Sequence, residues 1–148
     1  MTTEHPDCPL CRRSEESILW QDPLCRIERA GGEERARFAG YCRVIWHGHV
    51  AEMTDLSASE RRHLMQVVFA VEAALRALLR PDKINLASLG NQVPHMHWHV
   101  IPRWRDDGYF PASIWTPAQA PGVRRTWPET AVLRTSIERI LAEEGAGA

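Results

Sequence analysis

The sequence has no long apolar run, no excess of charge of either sign and a single lysine, Lys83. No window approaches the roughly 18 apolar residues of a membrane-spanning helix, and the N-terminus lacks the basic and apolar segments of an export signal. We therefore expect a cytoplasmic protein without a membrane anchor. Lys and Arg total 18 against 19 Asp and Glu, for a net charge of −1, which makes a nucleic acid partner unexpected.

The length and composition are those of one ordinary domain. The chain has 148 residues, of which 44% are hydrophobic, and it shows no internal repeat. We predict a single domain over residues 1–148. Its core would span about 8–104, followed by a proline-rich arm at 105–128 and a C-terminal helix at 129–144.

Four cysteines in a chain without an export signal favour thiols or a metal site over disulfides. Cys8 and Cys11 form a Cys-x-x-Cys pair, whereas Cys25 and Cys42 stand in apolar surroundings and are expected in the core. The pair alone leaves three interpretations open: a zinc site, a redox pair or two buried thiols without a metal.

Local patterns predict several strands and two helices. A capping box at Ser57 and Glu60 and Pro81 beyond the far end delimit a helix from Ser57 to Arg80. Its apolar face consists of Leu64, Val67, Val68, Val71, Leu75 and Leu78. Further patterns predict strands at 18–20, 24–27, 38–46, 84–89 and 95–102, a loop at 30–37 and a second helix at 130–143.

Three histidines alternate with apolar residues in the last predicted strand. His95, His97 and His99 would share one face, about 6.5 to 7 Å apart along the strand, while Met96, Trp98 and Val100 face the other way. Neighbouring imidazoles at this spacing can serve one phosphate or one metal. The alternative is a set of hydrogen-bonded histidines on a polar sheet face.

The stretch from Gly90 to Arg103 resembles the signature of the histidine-triad (HIT) family, His-φ-His-φ-His-φ-φ with φ apolar. Upstream, the stretch from Arg43 to His49 is similar to the family strand that ends in a fourth histidine, so the resemblance covers about residues 8–104. It implies an α+β fold with a mainly antiparallel sheet of about five strands, one long helix and a C-terminal helix. It also implies a homodimer.

The resemblance implies nucleotide chemistry at the α-phosphate of nucleoside polyphosphates, phosphoramidates or related conjugates. His97 would attack the phosphorus, form a covalent nucleotidyl-histidine and release a nucleoside monophosphate. His99 would hydrogen-bond the phosphate or the leaving group. Asn91 stands at an amide position where the family usually has glutamine. Asn85 and the backbone N–H of Val93 are further expected contacts to the substrate.

In zinc-containing members of the family, the Cys-x-x-Cys pair binds zinc together with the fourth histidine and the first histidine of the triad. The matching set here is Cys8, Cys11, His49 and His95. Four protein ligands leave no open position, so the resemblance implies a structural zinc ion. His47 is an alternative ligand two residues from His49.

Two other functions are compatible with these residues. One is a nucleotide-binding sensor of the same fold without turnover. The other is an enzyme whose three triad histidines bind a catalytic metal, which is disfavoured because Cys8 and Cys11 offer His95 a better site. Among the tryptophans, Trp98 is expected in the core. Trp104 and Trp115 are expected in core or interface packing rather than on a base.

Overall fold

Five antiparallel strands and two long helices dominate the part of the chain that the computed structural model describes, residues 4–146. In the order β1-β2-β3-β5-β4, the strands are β1 (Ile18–Gln21), β2 (Cys25–Arg29), β3 (Cys42–Trp46), β5 (His97–Arg103) and β4 (Lys83–Ala87). The helices are α1 (Gly32–Arg37), α2 (Ala58–Leu79) and α3 (Thr130–Ala146), with short 3₁₀ turns at Glu15–Ser17 and Met53–Asp55. The predicted α+β architecture is confirmed.

Residues 1–3 and 147–148 lie outside the described residues. The single domain over 1–148 therefore stays a prediction. Within 4–146, no helix combines the length and the apolar character that crossing a membrane requires.

Helix α2 begins and ends as the sequence predicts. The Ser57 hydroxyl accepts a hydrogen bond from the Glu60 N–H at 3.2 Å, and the Glu60 carboxylate accepts one from the Ser57 N–H at 2.7 Å. Arg80 caps the other end in a left-handed conformation, with φ of 49°. The predicted apolar face is buried up to Leu75, whereas Leu78 is 37% exposed because it lines a surface groove beside Val132 of α3.

The two faces of the sheet have different chemistry. Partners across antiparallel strands share a face, so the pairing of Val44 with Trp98 and of Arg43 with His99 separates an apolar face from a polar one. Helices α2 and α3 cover the apolar face, where Cys25 and Cys42 are fully buried as predicted. The opposite face carries Arg26, Glu28, Arg43, Ile45, His97, His99 and Arg103.

The predicted loop at 30–37 is wrong, because Gly32–Arg37 forms helix α1. Acidic residues lie in its first turn and arginines in its last turn, which suits the helix dipole. The strand predicted from Phe38 begins only at Cys42. A turn precedes it, in which the Tyr41 N–H donates to the Phe38 carbonyl, and Gly40 takes a φ of 84° where a side chain would be strained.

The strand predicted from His95 begins at His97 instead. The His95 N–H donates to the Val93 carbonyl at 2.8 Å, in a tight turn, and the Met96 N–H donates to the Val50 carbonyl at 2.7 Å. His95 therefore lies before the strand, and the three imidazoles do not form the uniform row that strict alternation predicts.

The proline-rich arm lies along its own chain on the polar side of the sheet. The Trp127 Nε1–H donates to the Arg35 carbonyl at 2.6 Å, and Arg125 pairs with Asp106 at 2.8 Å. Tyr109, Ile114 and Trp127 pack against a small apolar cluster around Tyr41. The arm thus covers part of the face that carries the histidines.

Asp107 anchors the start of this arm. Its carboxylate accepts hydrogen bonds from Arg103 at 2.7 Å and from the N–H groups of Tyr109 and Phe110 at 2.9 Å each. Burial alone would raise the pKa of Asp107, but these hydrogen bonds outweigh it and hold the pKa below its ordinary value.

Replacing Asp107 by Asn leaves Arg103 as a buried, unpaired charge, so we expect a loss of about 3 kcal/mol in the free energy of unfolding. Because the native pKa of Asp107 is lowered, its stabilisation is present above the unfolded pKa and is lost as the pH falls through the native value. Urea unfolding at pH 7 and pH 3 measures both effects. The gap between wild type and Asp107→Asn should be larger at pH 7 than at pH 3.

The neighbouring Asp106→Asn variant is the matched control. Asp106 forms an exposed ion pair with Arg125, and such pairs contribute little to stability. An Asp107→Asn protein as stable as the Asp106→Asn protein at pH 7 would contradict the prediction.

Candidate active site and metal centre

A cavity of about 380 Å³ lies on the polar face of the sheet, where β3 and β5 pair. Strand β5 contributes His97 and His99, and β3 contributes Arg43. The loop between β4 and β5 and the side chains of Glu34, Tyr41 and Trp115 complete the wall. The loop residues are Leu89, Gly90, Asn91, Gln92 and Val93.

His97 has a defined tautomer. Its Nδ1 lies 2.6 Å from the carbonyl oxygen of His95, and because a carbonyl only accepts, Nδ1 carries the proton. The neutral ring then has a free lone pair on Nε2. Burial lowers the pKa of His97 and Arg43 adds to the effect, whereas the hydrogen bond to His95 opposes it. The arrangement favours a neutral, nucleophilic imidazole.

His99 has the opposite tautomer. The Tyr41 hydroxyl lies 2.6 Å from His99 Nδ1. Tyr41 is only 1% exposed, and among the described residues its hydroxyl has no other hydrogen-bond partner, so it donates its proton to Nδ1. His99 therefore carries its own proton on Nε2.

Burial keeps both members of the Tyr41–His99 pair neutral. It raises the pKa of Tyr41, so the phenol retains its proton. Burial, with the added effect of His97 and Arg43, lowers the pKa of His99 to about 4. The ring centroids of His97 and His99 lie 4.9 Å apart, with the ring planes at 77°. Two adjacent rings thus offer an unprotonated Nε2 on His97 and an Nε2–H donor on His99.

The predicted substrate residues occupy different places. Asn91 and Val93 line the cavity, and no backbone hydrogen bond among the described residues engages the Val93 N–H. Asn85 shares the polar face but is not among the lining residues. Its Oδ1 accepts a hydrogen bond from Arg103 at 2.8 Å. Its role toward a substrate stays a prediction.

Sequence reasoning missed Tyr41, Arg43 and Glu34 as members of this cavity. Arg43 interrupts the otherwise apolar segment from Tyr41 to Trp46, and this was the available signal. No sequence signal marks Glu34, because the charged segment at 30–37, with its two glycines, predicts a loop. The strand register places Arg43 beside His99, and helix α1 carries Glu34 to the cavity, so neither position follows from the local sequence.

Trp115 is not in the core, and its place in an interface stays a prediction. Trp115 is 44% exposed and lines the cavity, with its ring centroid 5.0 Å from that of His99 at 71°. Trp104 is buried as predicted, with the Arg125 guanidinium 4.4 Å from its ring centroid. Trp98 packs on the helix side, where its Nε1–H contacts Met53 Sδ at 3.4 Å.

The four predicted metal ligands converge in a separate cluster. Tetrahedral zinc bonds of about 2.3 Å to sulfur and 2.05 Å to nitrogen imply S–N edges near 3.6 Å and N–N edges near 3.4 Å. The Nδ1 atom of His95 lies 3.5 Å from both Cys8 Sγ and Cys11 Sγ. His49 Nδ1 lies 3.4 Å from Cys11 Sγ and 3.3 Å from His95 Nδ1. The donor set and its spacing fit a zinc ion.

A second hydrogen bond aims His95 at this cluster. Its Nε2–H donates to the Trp46 carbonyl at 2.6 Å, which leaves the Nδ1 lone pair facing the sulfur atoms. His47 is not among the side chains that converge in this cluster, so the alternative ligand is ruled out in this structure; its Nε2–H donates to the Asp22 carbonyl at 2.9 Å.

The HIT domain profile matches residues 12–106, well over half of the chain. The chain belongs to the HIT domain family. The AP-4-A phosphorylase of Mycobacterium tuberculosis is 29% identical over 77 residues, which cover 48% of this chain and 40% of the relative. The chain thus matches about two fifths of the length of that relative.

Solved structures of HIT family proteins have the same fold. A histidine triad protein from Marinobacter aquaeolei aligns with a TM-score of 0.64 and 22% identity, covering 86% of this chain and 91% of that one. A zinc-bound histidine triad family protein from Mycobacterium smegmatis aligns with a TM-score of 0.60 and 19% identity, covering 96% and 98%. At these identities the likeness concerns the fold alone.

The Tyr41→Phe variant tests the tautomer of His99. Without the phenol proton, Nδ1 loses its donor, and we expect the His99 proton to distribute between both ring nitrogens. Long-range ¹H–¹⁵N NMR distinguishes the two tautomers. The loss of this buried hydrogen bond should cost about 1 kcal/mol of stability.

Tyr109 is the other tyrosine of the chain, and it hydrogen-bonds Arg37 rather than a histidine. Tyr109→Phe should leave the His99 spectrum unchanged. An unchanged His99 spectrum in Tyr41→Phe as well would refute the assignment.

Proposed function

We propose that the chain is a nucleotide phosphohydrolase or nucleotidyltransferase that cleaves at the α-phosphate through a covalent nucleotidyl-histidine on His97. Its substrates are nucleoside polyphosphates, phosphoramidates or related conjugates, and a nucleoside monophosphate is released. The observation that carries the proposal is the opposite protonation of two adjacent imidazoles in one cavity. His97 has a bare Nε2, and His99 has an Nε2–H.

In the first step, the Nε2 lone pair of His97 attacks the α-phosphorus. A P–N bond forms, and the bond from phosphorus to the leaving group breaks. The His99 Nε2–H hydrogen-bonds the bridging atom and stabilises the charge that develops on it, so a phosphate leaves as an anion and an amine leaves with a proton taken from water. The His95 carbonyl accepts from His97 Nδ1–H throughout, which stabilises the positive charge that develops on the ring.

In the second step, water attacks the phosphorus of the nucleotidyl-histidine. A P–O bond forms, the P–N bond breaks, and His97 leaves as a neutral imidazole. His99 keeps its Nε2 proton in both steps, and the attacking water loses a proton to the solvent. The released product is a nucleoside monophosphate. Another nucleophile in place of water would make the same chemistry a transfer.

The loop before β5 supports the phosphate in this proposal. The Asn91 side chain and the Val93 N–H line the cavity as hydrogen-bond donors for the phosphate oxygens. Trp115, edge-on to His99, offers an exposed aromatic surface beside the histidine pair.

We further propose that Cys8, Cys11, His49 and His95 hold a structural zinc ion, a role that leaves His97 and His99 free. When bound, the ion would tie the N-terminal segment to the residue that precedes β5. His95 links the two sites, because its ring lies in the metal cluster while its carbonyl positions His97.

Relatives support a nucleotide substrate, since one of them is named AP-4-A phosphorylase. A homodimer and a cytoplasmic location belong to the same proposal. Nucleic acid remains an unexpected partner because the chain carries no net positive charge.

Replacing His97 by Ala tests the covalent route. Phosphorus NMR should show wild-type turnover of an adenosine phosphoramidate, a dinucleoside polyphosphate or a nucleotide sugar. His97→Ala should be slower by at least about 1000-fold, because the nucleophile is removed. His63→Ala is the control, because His63 pairs with Asp22 outside the cavity.

Equal activity in wild type and His97→Ala would refute the covalent route. Nucleotide binding without any turnover by the wild type would instead support the sensor function.

The second prediction concerns the metal. Protein purified under reducing conditions should contain about one zinc ion per chain, and Cys8→Ser and Cys11→Ser should lose it. Elemental analysis measures the content. Cys42→Ala is the control, since Cys42 is a core thiol outside the cluster. Full zinc retention in both serine variants would contradict the ligand set.

A further inference from the structure

We propose that Arg43 binds the leaving phosphate, so that the chain favours nucleotides joined through a phosphoanhydride over nucleotides joined to an uncharged amine. This inference rests on the proposed function and names the substrate class of that site. Its basis is an arginine whose charge the protein itself does not balance.

Three arginines lie on the polar face of the sheet, and two of them are neutralised. Arg26 pairs with Glu28 at 2.6 Å, and Arg103 pairs with Asp107 at 2.7 Å. Both pairs are buried. The third arginine, Arg43, forms no ion pair with any residue in 4–146.

The guanidinium of Arg43 also finds no hydrogen-bond acceptor among residues 4–146. Its Nε is buried without a partner in the described part of the chain. Arg29 shares this property at Nε, but its other two nitrogens donate to Thr130 and to the Glu16 carbonyl. No such contact engages Arg43. A buried donor without an acceptor costs free energy, and a guanidinium binds anionic oxygens best, so an anionic ligand is the partner that would stabilise Arg43.

The carboxylates nearest to Arg43 do not meet this need. Glu28 is its partner in the β2–β3 register, but the Glu28 carboxylate is engaged by Arg26. Glu34 lines the same cavity from helix α1, yet it forms no ion pair with Arg43 within the described residues. The cavity therefore holds a fixed positive charge that is available to a ligand.

The strand register places Arg43 opposite His99, the histidine that contacts the leaving group in the proposed reaction. Arg43 is paired with His99 across β3 and β5, whereas the partner of His97 is Ile45. In the proposed reaction, His97 attacks the phosphorus and His99 contacts the leaving group. Arg43 is thus placed on the side where the leaving group departs.

The chemistry of the leaving group decides what Arg43 contributes. When a phosphoanhydride is cleaved, the P–O bond breaks and the departing phosphate gains negative charge, which a guanidinium stabilises through paired hydrogen bonds. When a phosphoramidate is cleaved, the P–N bond breaks and the amine takes a proton and leaves without negative charge. Arg43 then has no developing charge to stabilise.

The kinetic test compares diadenosine tetraphosphate with adenosine 5′-phosphoramidate in wild type, Arg43→Gln and Arg43→Lys. Arg43→Gln should lower kcat/KM for the tetraphosphate by about 100-fold, and for the phosphoramidate by less than about 5-fold. Arg43→Lys should fall between wild type and Arg43→Gln, because lysine keeps the charge but not the planar fork.

Arg62→Gln is the matched control. It removes one positive charge from an exposed position on α2, in the layer behind the sheet, and should leave both substrates unaffected. Arg43→Gln should also unfold at the same temperature as wild type or higher, since no side-chain hydrogen bond or ion pair within residues 4–146 is lost. Equal losses on both substrates, or no loss on either, would overturn the proposal.

A binding measurement separates this proposal from the proposed function. At constant ionic strength, calorimetry gives the Kd of ADP and of AMP for His97→Ala protein, in which the chemistry is blocked. ADP should bind at least about 10-fold more tightly than AMP, and adding Arg43→Gln should abolish the difference. If wild type turns over neither substrate, the proposed function fails. The ratio of the Kd values of AMP and ADP still shows whether Arg43 binds the second phosphate. An ADP preference that survives Arg43→Gln would overturn it.

Discussion

The hydrogen bond from His97 Nδ1 to the carbonyl of His95 is the contact on which the arrangement of the site depends. It fixes the free lone pair of His97 on Nε2 and holds the ring in the cavity. His95 is itself fixed by two contacts. Its Nε2–H donates to the Trp46 carbonyl, and its Nδ1 lies in the cluster with the two cysteines and His49. His95, which precedes β5, thus sets the orientation of His97, the first residue of that strand.

The polar face of the sheet is organised by charge. Burying an arginine beside a carboxylate satisfies both, as at Arg26 with Glu28 and at Arg103 with Asp107. Each pair also secures a segment that has little regular structure. Arg26 donates to the Leu10 carbonyl in the Cys-x-x-Cys segment at 2.8 Å, and Asp107 holds the turn that begins the arm. The cavity lies between these two anchors.

Local patterns were sufficient where local interactions decide the structure. The capping box and the apolar spacing determine helix α2, and alternation placed His97 and His99 on one face. The metal cluster also followed from the resemblance, since its ligand spacing is a property of the sequence. Helix α1 was missed because Gly31 and Gly32 indicate a turn, whereas the helix begins directly at Gly32. Tyr41 and Trp115 could not be assigned, because they approach His99 from 58 and 16 residues away through tertiary packing.

Strand β5 contributes to the cavity with one side and to the hydrophobic core with the other. His97 and His99 alternate with Trp98 and Val100, and the latter two pack among the residues beneath α2. A change in the volume of either apolar side chain shifts the backbone that carries the imidazoles, since packed interiors transmit strain over short distances. The positions of the two imidazoles and the packing of the core are consequently coupled. Trp115 of the arm and Glu34 of α1 line the same cavity but lie outside this strand, so a substitution there changes the cavity wall without changing the packing of β5 against the core.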